Sequence, residues 1–171
     1  MKKFLPVIIF LFCFSIFVYS DINDADKYVQ SGNNKGISGD YTGAIQDYNT
    51  AIELEPKNVE AYCMRGAAKN MLGDYKGAIK DFNKTIELNP KIAQAYYSRG
   101  LAKESLGDYT GAIKDCSKAI ELNPKIAGAY YGRGMSKDKL GDKKGALKDL
   151  NKAGELGLKQ AYDVIKKIQS E

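Results

Sequence analysis

Residues 73–90 read GDYKGAIKDFNKTIELNP, and residues 107–124 read GDYTGAIKDCSKAIELNP. Residues 39–56, GDYTGAIQDYNTAIELEP, are an earlier copy at the same interval, and Gly141-Asp142-Lys143 opens a weaker fourth. The interval is 34 residues, and Pro56, Pro90 and Pro124 keep it. Working outward from these copies divides the chain into four units, 25–58, 59–92, 93–126 and 127–160, with a short lead at 21–24. A fixed period of this length marks an array of supersecondary units, each unable to bury its apolar face alone.

Each unit reads as two helices. In the second unit Tyr62, Gly66 and Ala67 sit at helical spacing, and Ala78, Ile79, Phe82, Ile86 and Leu88 form the next apolar stripe. The Gly-Asp pair between them closes one helix with a left-handed glycine and opens the other with an aspartate cap. Proline ends the second helix, because the residue before it is pushed out of helical space. Glycines Gly32, Gly66, Gly100 and Gly134, with Ala44, Ala78, Ala112 and Ala146, are small where paired helices must approach closely. No strand-like alternation appears, so the expected class is all-α.

Composition is uneven along the chain. Lys2 and Lys3 precede an apolar run, Phe4 to Val18, that holds five of the six phenylalanines and ends near Val18-Tyr19-Ser20. A charged start, an apolar middle and a small residue at the cleavage point have the order of a signal peptide. The run is shorter than the roughly 20 residues a spanning helix needs. Residues 1–20 are therefore expected to be a signal peptide cleaved after Ser20, with a retained membrane anchor as the alternative. The expected destination is export: periplasmic, secreted or envelope-associated. Losing Lys2 and Lys3 leaves 24 basic residues of the 26 against 21 acidic ones, a net charge of +3.

The chain has no histidine, which excludes Ser–His–Asp and Cys–His catalysis and His-ligated metals. There is no phosphate-binding loop, no cysteine pair at metal spacing and no calcium loop. No catalytic residue, metal site or cofactor is expected, and the mild charge does not mark a nucleic-acid binder.

The columns Tyr28/62/96/130, the glycines above, Tyr41/75/109, the alanine column, Tyr48/Phe82, Ala51/119/153 and Pro56/90/124 resemble the tetratricopeptide repeat family. The departures are Thr85 for alanine, Cys116 and Leu150 for an aromatic, Lys143 for tyrosine, and Gly157-Leu158 where proline is usual. Residues 161–171 look like a final capping helix. The resemblance implies a right-handed superhelical solenoid of four helix–turn–helix repeats, with a concave groove lined by each unit's first helix. Such grooves hold a peptide or a partner's helix.

Carrying the family's groove columns over gives one row of Val29, Cys63, Tyr97 and Tyr131. A second contains Asn33, Ala67, Leu101 and Met135, and a third Asn70, Glu104 and Asp138 beside Gly36. Asp26, Glu60, Gln94 and Gly128 lie at the helix starts, with Ile37 and Met71 near the ends. The structural alternative for Leu101, Met135 and Met71 is packing between units. The family's clamp for chaperone C-terminal carboxylates needs lysines and asparagines where this chain has Val29, Asn33, Met64 and Gln94. Only Asn33 fits, so no carboxylate clamp is expected. Cys63 and Cys116 fall on different helices, units and faces, which predicts two free thiols.

Arg65, Arg99 and Arg133 form a basic column, with Ser31 in the first unit, and Asp47, Asp81, Asp115 and Asp149 an acidic one. These predict a ladder of ion pairs that sets register, with an arginine row for an anionic ligand as the functional alternative; as exposed pairs each would be worth about 0–1 kcal/mol. The expected function is an exported, non-enzymatic scaffold that binds a protein or peptide partner in the concave groove. The alternative is an assembly factor acting through self-association or a retained anchor.

Overall fold

The structure, a computed structural model, describes residues 24–170. The expected leader, residues 1–20, lies outside them. Nine helices and no strand occur among the described residues. Helix α1 covers residues 24–37, and α2 (Tyr41–Leu54) completes the first pair. Then follow α3 (Val59–Met71) with α4 (Tyr75–Leu88), α5 (Ala93–Ser105) with α6 (Tyr109–Leu122), and α7 (Ala127–Lys139) with α8 (Lys143–Glu155). Helix α9 (Gln160–Ser170) ends the chain. None of these helices is long and apolar enough to cross a membrane.

The turn inside each pair follows from two residues. Gly39, Gly73, Gly107 and Gly141 take φ between +79° and +88°, open to glycine without a Cβ penalty. The next residue, Asp40, Asp74, Asp108 or Asp142, caps the second helix by accepting from the amide three residues on, at 2.8–2.9 Å. That amide belongs to Gly43, Gly77, Gly111 or Gly145, where a Cβ would fall 2.0–2.1 Å from the aspartate Oδ2. The third glycine column thus makes room for the cap.

Packing within a unit is glycine against a bulky residue. A Cβ at Gly66 would sit 2.9 Å from the Phe82 ring, and one at Gly32 would sit 2.6 Å from Tyr48. In the third unit the residue facing Gly100 is Cys116, with Sγ at 3.1 Å. Ala44, Ala78, Ala112 and Ala146 are at most 1% exposed. Thr85 is accommodated in its alanine column because its hydroxyl donates to the Asp81 carbonyl at 3.0 Å.

The basic and acidic columns make the expected ladder, but the pairs are not exposed. Arg65, Arg99 and Arg133 each grip the aspartate of their own unit through two guanidinium nitrogens. The aspartate side chains of these three pairs are only 3–5% accessible. Lys69, Lys103 and Lys137 add a second cation to Asp81, Asp115 and Asp149 at 2.7–2.8 Å. Each arginine also reaches back to the preceding unit, where Asn49, Asn83 or Ser117 accepts from it at 2.7–3.1 Å. A tyrosine ring of the same helix lies 5.3–5.6 Å from each guanidinium. The estimate for exposed pairs therefore does not apply; these are buried, hydrogen-bonded networks whose disruption strands a charge.

The first unit has no preceding second helix among the described residues for an arginine to reach, and Ser31 stands in the column. Its hydroxyl donates to Asp47 at 2.6 Å, and Lys35 supplies the cation at 2.8 Å. At the other end α9 occupies the place of a fifth first helix. Ala95, Ala129 and Ala161 donate to the carbonyls of Ile92, Ile126 and Leu158 in the same way, so α9 arrives two residues short of the period. In that register the arginine column becomes Ile165, buried with Leu150 and Ala153, and the glycine column becomes exposed Lys166. No second helix follows among the described residues, so no small residue is needed there.

Neighbouring first helices touch, α3 against α5 and α5 against α7, while the second helices make no comparable contact with one another. Second helices therefore fan apart on the outside, and first helices line the inside of the curve. The result is an all-α solenoid of stacked helix–turn–helix units.

Candidate binding groove

The first helices leave two adjoining cavities on the inner face. One, of about 380 Å³, lies over the first two units and is lined by Asn33, Ile37, Tyr41, Tyr48 and Met64. The other, of about 630 Å³, lies over α3 and α5 and reaches Lys139 of α7. Ala67 and Met71 border both, so the two form one trough. Met71 is 63% exposed and Ile37 87%, both at the C-terminal ends of their helices.

The columns carried over from the family divide on inspection. Asn33, Ala67, Asn70, Tyr97, Leu101 and Glu104 border the trough. Val29 and Cys63 are buried instead, 4% and 9% exposed. Val29 packs with Ala51 and Ala61, and Cys63 with Ala78, Phe82 and Ala95. Both side chains are short enough to be covered, whereas the Tyr97 ring of the same column reaches the cavity. Tyr131 and Met135 pack on the α8–α9 core, because α9 covers the end of the array. Asp138 is half-buried on α7 and borders neither cavity. Tyr41, Tyr75 and Tyr109, which open the second helices, form part of the wall. Their 34-residue spacing was visible, but which way their rings lean depends on the packed pair.

Tyr97 owes its position to a neighbour without a side chain. A Cβ at Gly128 would fall 2.5 Å from the Tyr97 hydroxyl, so the ring lies across the α5–α7 junction only because that residue is glycine. Asn33 is held by its surroundings: its amide donates to Glu60 at 3.1 Å, and its oxygen accepts from the Tyr48 hydroxyl at 2.8 Å. The Asn70 amide donates to the Ser98 carbonyl at 3.2 Å, while its oxygen is buried without a partner.

Burial dominates the electrostatics of the trough. It pushes the Tyr97 hydroxyl up, with smaller contributions from Cys116 and Glu104, and it pushes the Glu104 carboxyl up against the opposing influence of Lys139. Beneath the trough, burial and then Glu104 and Asp115 raise the Cys116 thiol to about 12, and burial and then Glu60 raise that of Cys63. Both cysteines are free and buried, and neither is poised as a thiolate. Among the described residues no group of three or more metal-ligating side chains comes together.

Sequence profiles of the tetratricopeptide repeat match residues 59–92, 93–126 and 127–156, and a profile described as TPR repeat matches 37–73. A crystal structure of MamA protein is 30% identical, with a TM-score of 0.78 over 86% of this chain and 81% of that one. The Arabidopsis OM64 TPR domain is 28% identical, with a TM-score of 0.69 over 70% of this chain and 98% of that one. The first TPR of Spaghetti (RPAP3), bound to the HSP90 peptide SRMEEVD, is 27% identical, with a TM-score of 0.68 over 70% and 94%. No curated protein sequence gives a significant match. The repeat profiles, the 34-residue units and the stacked helical pairs agree, and the chain belongs to the tetratricopeptide repeat family.

Proposed function

We propose that the chain is an exported, non-enzymatic scaffold whose concave trough binds a segment of another polypeptide. The observation that carries this reading is the joining of the two cavities across Ala67 and Met71. It makes an apolar channel along successive first helices, with Met71 and Ile37 exposed at its edge. Methionine and tyrosine suit recognition, one flexible and polarisable, the other flat with a polar tip. A relative of the same fold is described as bound to a peptide, which supports a polypeptide as the occupant. That peptide, SRMEEVD, ends in acidic residues, whereas the clamp positions here are Val29, Asn33, Met64 and Gln94. With no lysine at those positions, an acidic chaperone tail is not the ligand this reading expects.

The test is site-specific photo-crosslinking in the native cell, with the reactive group at position 67 in the trough or at position 114 on the outer face. A polypeptide joined from position 67, and lost when Tyr97→Ala and Leu101→Ala are combined, supports the reading. Adducts from position 114 alone would move the site to the outer face, and a second copy of this chain as the sole product would favour assembly. N-terminal sequencing of the same material is expected to begin at Asp21.

A further inference from the structure

Building on the groove reading above, we propose that the second cavity receives a lysine or arginine side chain of the bound segment, with Glu104 as its counter-ion. The cavity holds about 630 Å³, room for a long side chain, and its surface includes Ala67, Met71 and Leu101. Glu104 stands at its wall, half-buried, and its carboxylate makes no hydrogen bond or salt bridge with any described residue. The other deeply set acids contrast with it, since Asp47, Asp81, Asp115 and Asp149 each have a lysine partner within 2.8 Å. Lys139 on the same rim influences Glu104 through space without forming an ion pair with it. Burial still prevails, and the carboxyl stays above its ordinary range. Glu104 is thus a wall carboxylate with no cation bonded to it.

The neighbouring amides of the wall do not serve Glu104. The Asn70 amide nitrogen is committed to the Ser98 carbonyl, and its oxygen is an acceptor closed off from the cavity. Gln94 and Ser98, also on the wall, satisfy each other at 3.3 Å. A carboxylate entering here would add acceptors beside an unpaired acid. An aliphatic side chain would cover the floor and leave Glu104 desolvated and unpaired, which is costly. A lysine or arginine meets both needs: its methylene stem lies on Leu101 and Met71 while its head forms charge-assisted hydrogen bonds to Glu104.

The inference is tested by selecting peptides from a random phage-displayed library on the immobilised full chain. Each enriched peptide is then measured by fluorescence polarisation against wild type, Tyr97→Ala, Glu104→Gln and Glu104→Lys. Expected are groove-dependent peptides, weakened by Tyr97→Ala, that contain a lysine or arginine within an apolar stretch. These lose about tenfold in affinity on Glu104→Gln and more on Glu104→Lys, with helical circular dichroism unchanged. Groove-dependent peptides that lack a basic residue, or that ignore both Glu104 variants, would overturn the counter-ion assignment and leave the groove reading intact. If no enriched peptide depends on Tyr97, the groove reading fails and this inference with it.

Discussion

The ladder of buried ion pairs and the concave trough are built from the same four units under opposite rules. Along the ladder, units two to four repeat one arrangement: arginine on aspartate through two nitrogens, a lysine on the same carboxylate, and a tyrosine ring beside the guanidinium. On the first helices that line the trough the columns vary instead: Asn33, Ala67 and Leu101 share one register, and Asn70 and Glu104 another. The ladder joins each unit to the next, so every copy faces the same geometric problem and has the same solution. The trough is open to solvent on the concave side, and its residues differ from unit to unit because no repeated ion pair constrains them.

Breaking the ladder gives the largest expected effect. Asp115→Ala strands Arg99 and Lys103 without their carboxylate and should cost about 3–5 kcal/mol in urea unfolding. A cost under about 1 kcal/mol would mean that the ladder is no stronger than surface charge, and the contrast with the trough would collapse. The ladder also has a pH signature. Burial raises the Asp149 carboxyl, but bonds from Arg133 and Lys137 outweigh it and hold it below its usual 3.8. An acid whose pKa is lower in the folded state contributes fully above the unfolded value, and that contribution fades as pH falls through the folded one. Stability should therefore decline below about pH 4, less steeply in Asp149→Asn.

A smaller effect separates units within the core. Gly66→Ala forces its methyl to 2.9 Å from the Phe82 ring and should cost about 1–3 kcal/mol. Gly100→Ala meets the Cys116 sulfur at 3.1 Å and makes ordinary contacts with the Ala112 carbonyl and Asp115 Cβ at 3.4 and 3.5 Å; it gains about 1 kcal/mol of helix propensity, so it should be nearly neutral. Equal melting temperatures for the two variants would show that the facing residue does not set the tolerance. The smallest effect is a gain. Ser136 is fully buried with an unpartnered hydroxyl, where the preceding units carry Ala68 and Ala102. Ser136→Ala should stabilise by up to about 1 kcal/mol, read as a raised thermal midpoint.

Much of this architecture is legible in the sequence because each repeat restates it. The Gly-Asp turn, the alternation of small and bulky columns and the pairing of arginine with aspartate recur at a fixed interval, and three copies of a pattern expose its purpose. The capping aspartates even account for the third glycine column once their distance to Gly43, Gly77, Gly111 and Gly145 is known. The trough is less legible for the opposite reason. Val29 and Tyr97 share a register, yet one is 4% exposed and the other borders the larger cavity. Residue size and the neighbouring unit decide that, and neither repeats.

The sequence by itself determined that the chain is a helical array of 34-residue units, because periodic close packing leaves a periodic mark. Only the tertiary structure decided how deeply the ion pairs lie, since burial depends on how far two helices close over them. The same holds for α9, whose two-residue early start lets it take a fifth helix's place and draw Tyr131 and Met135 into the core. It holds for Glu104 as well, whose lack of a partner is a fact of three dimensions: a cation lies nearby, but none is within bonding reach.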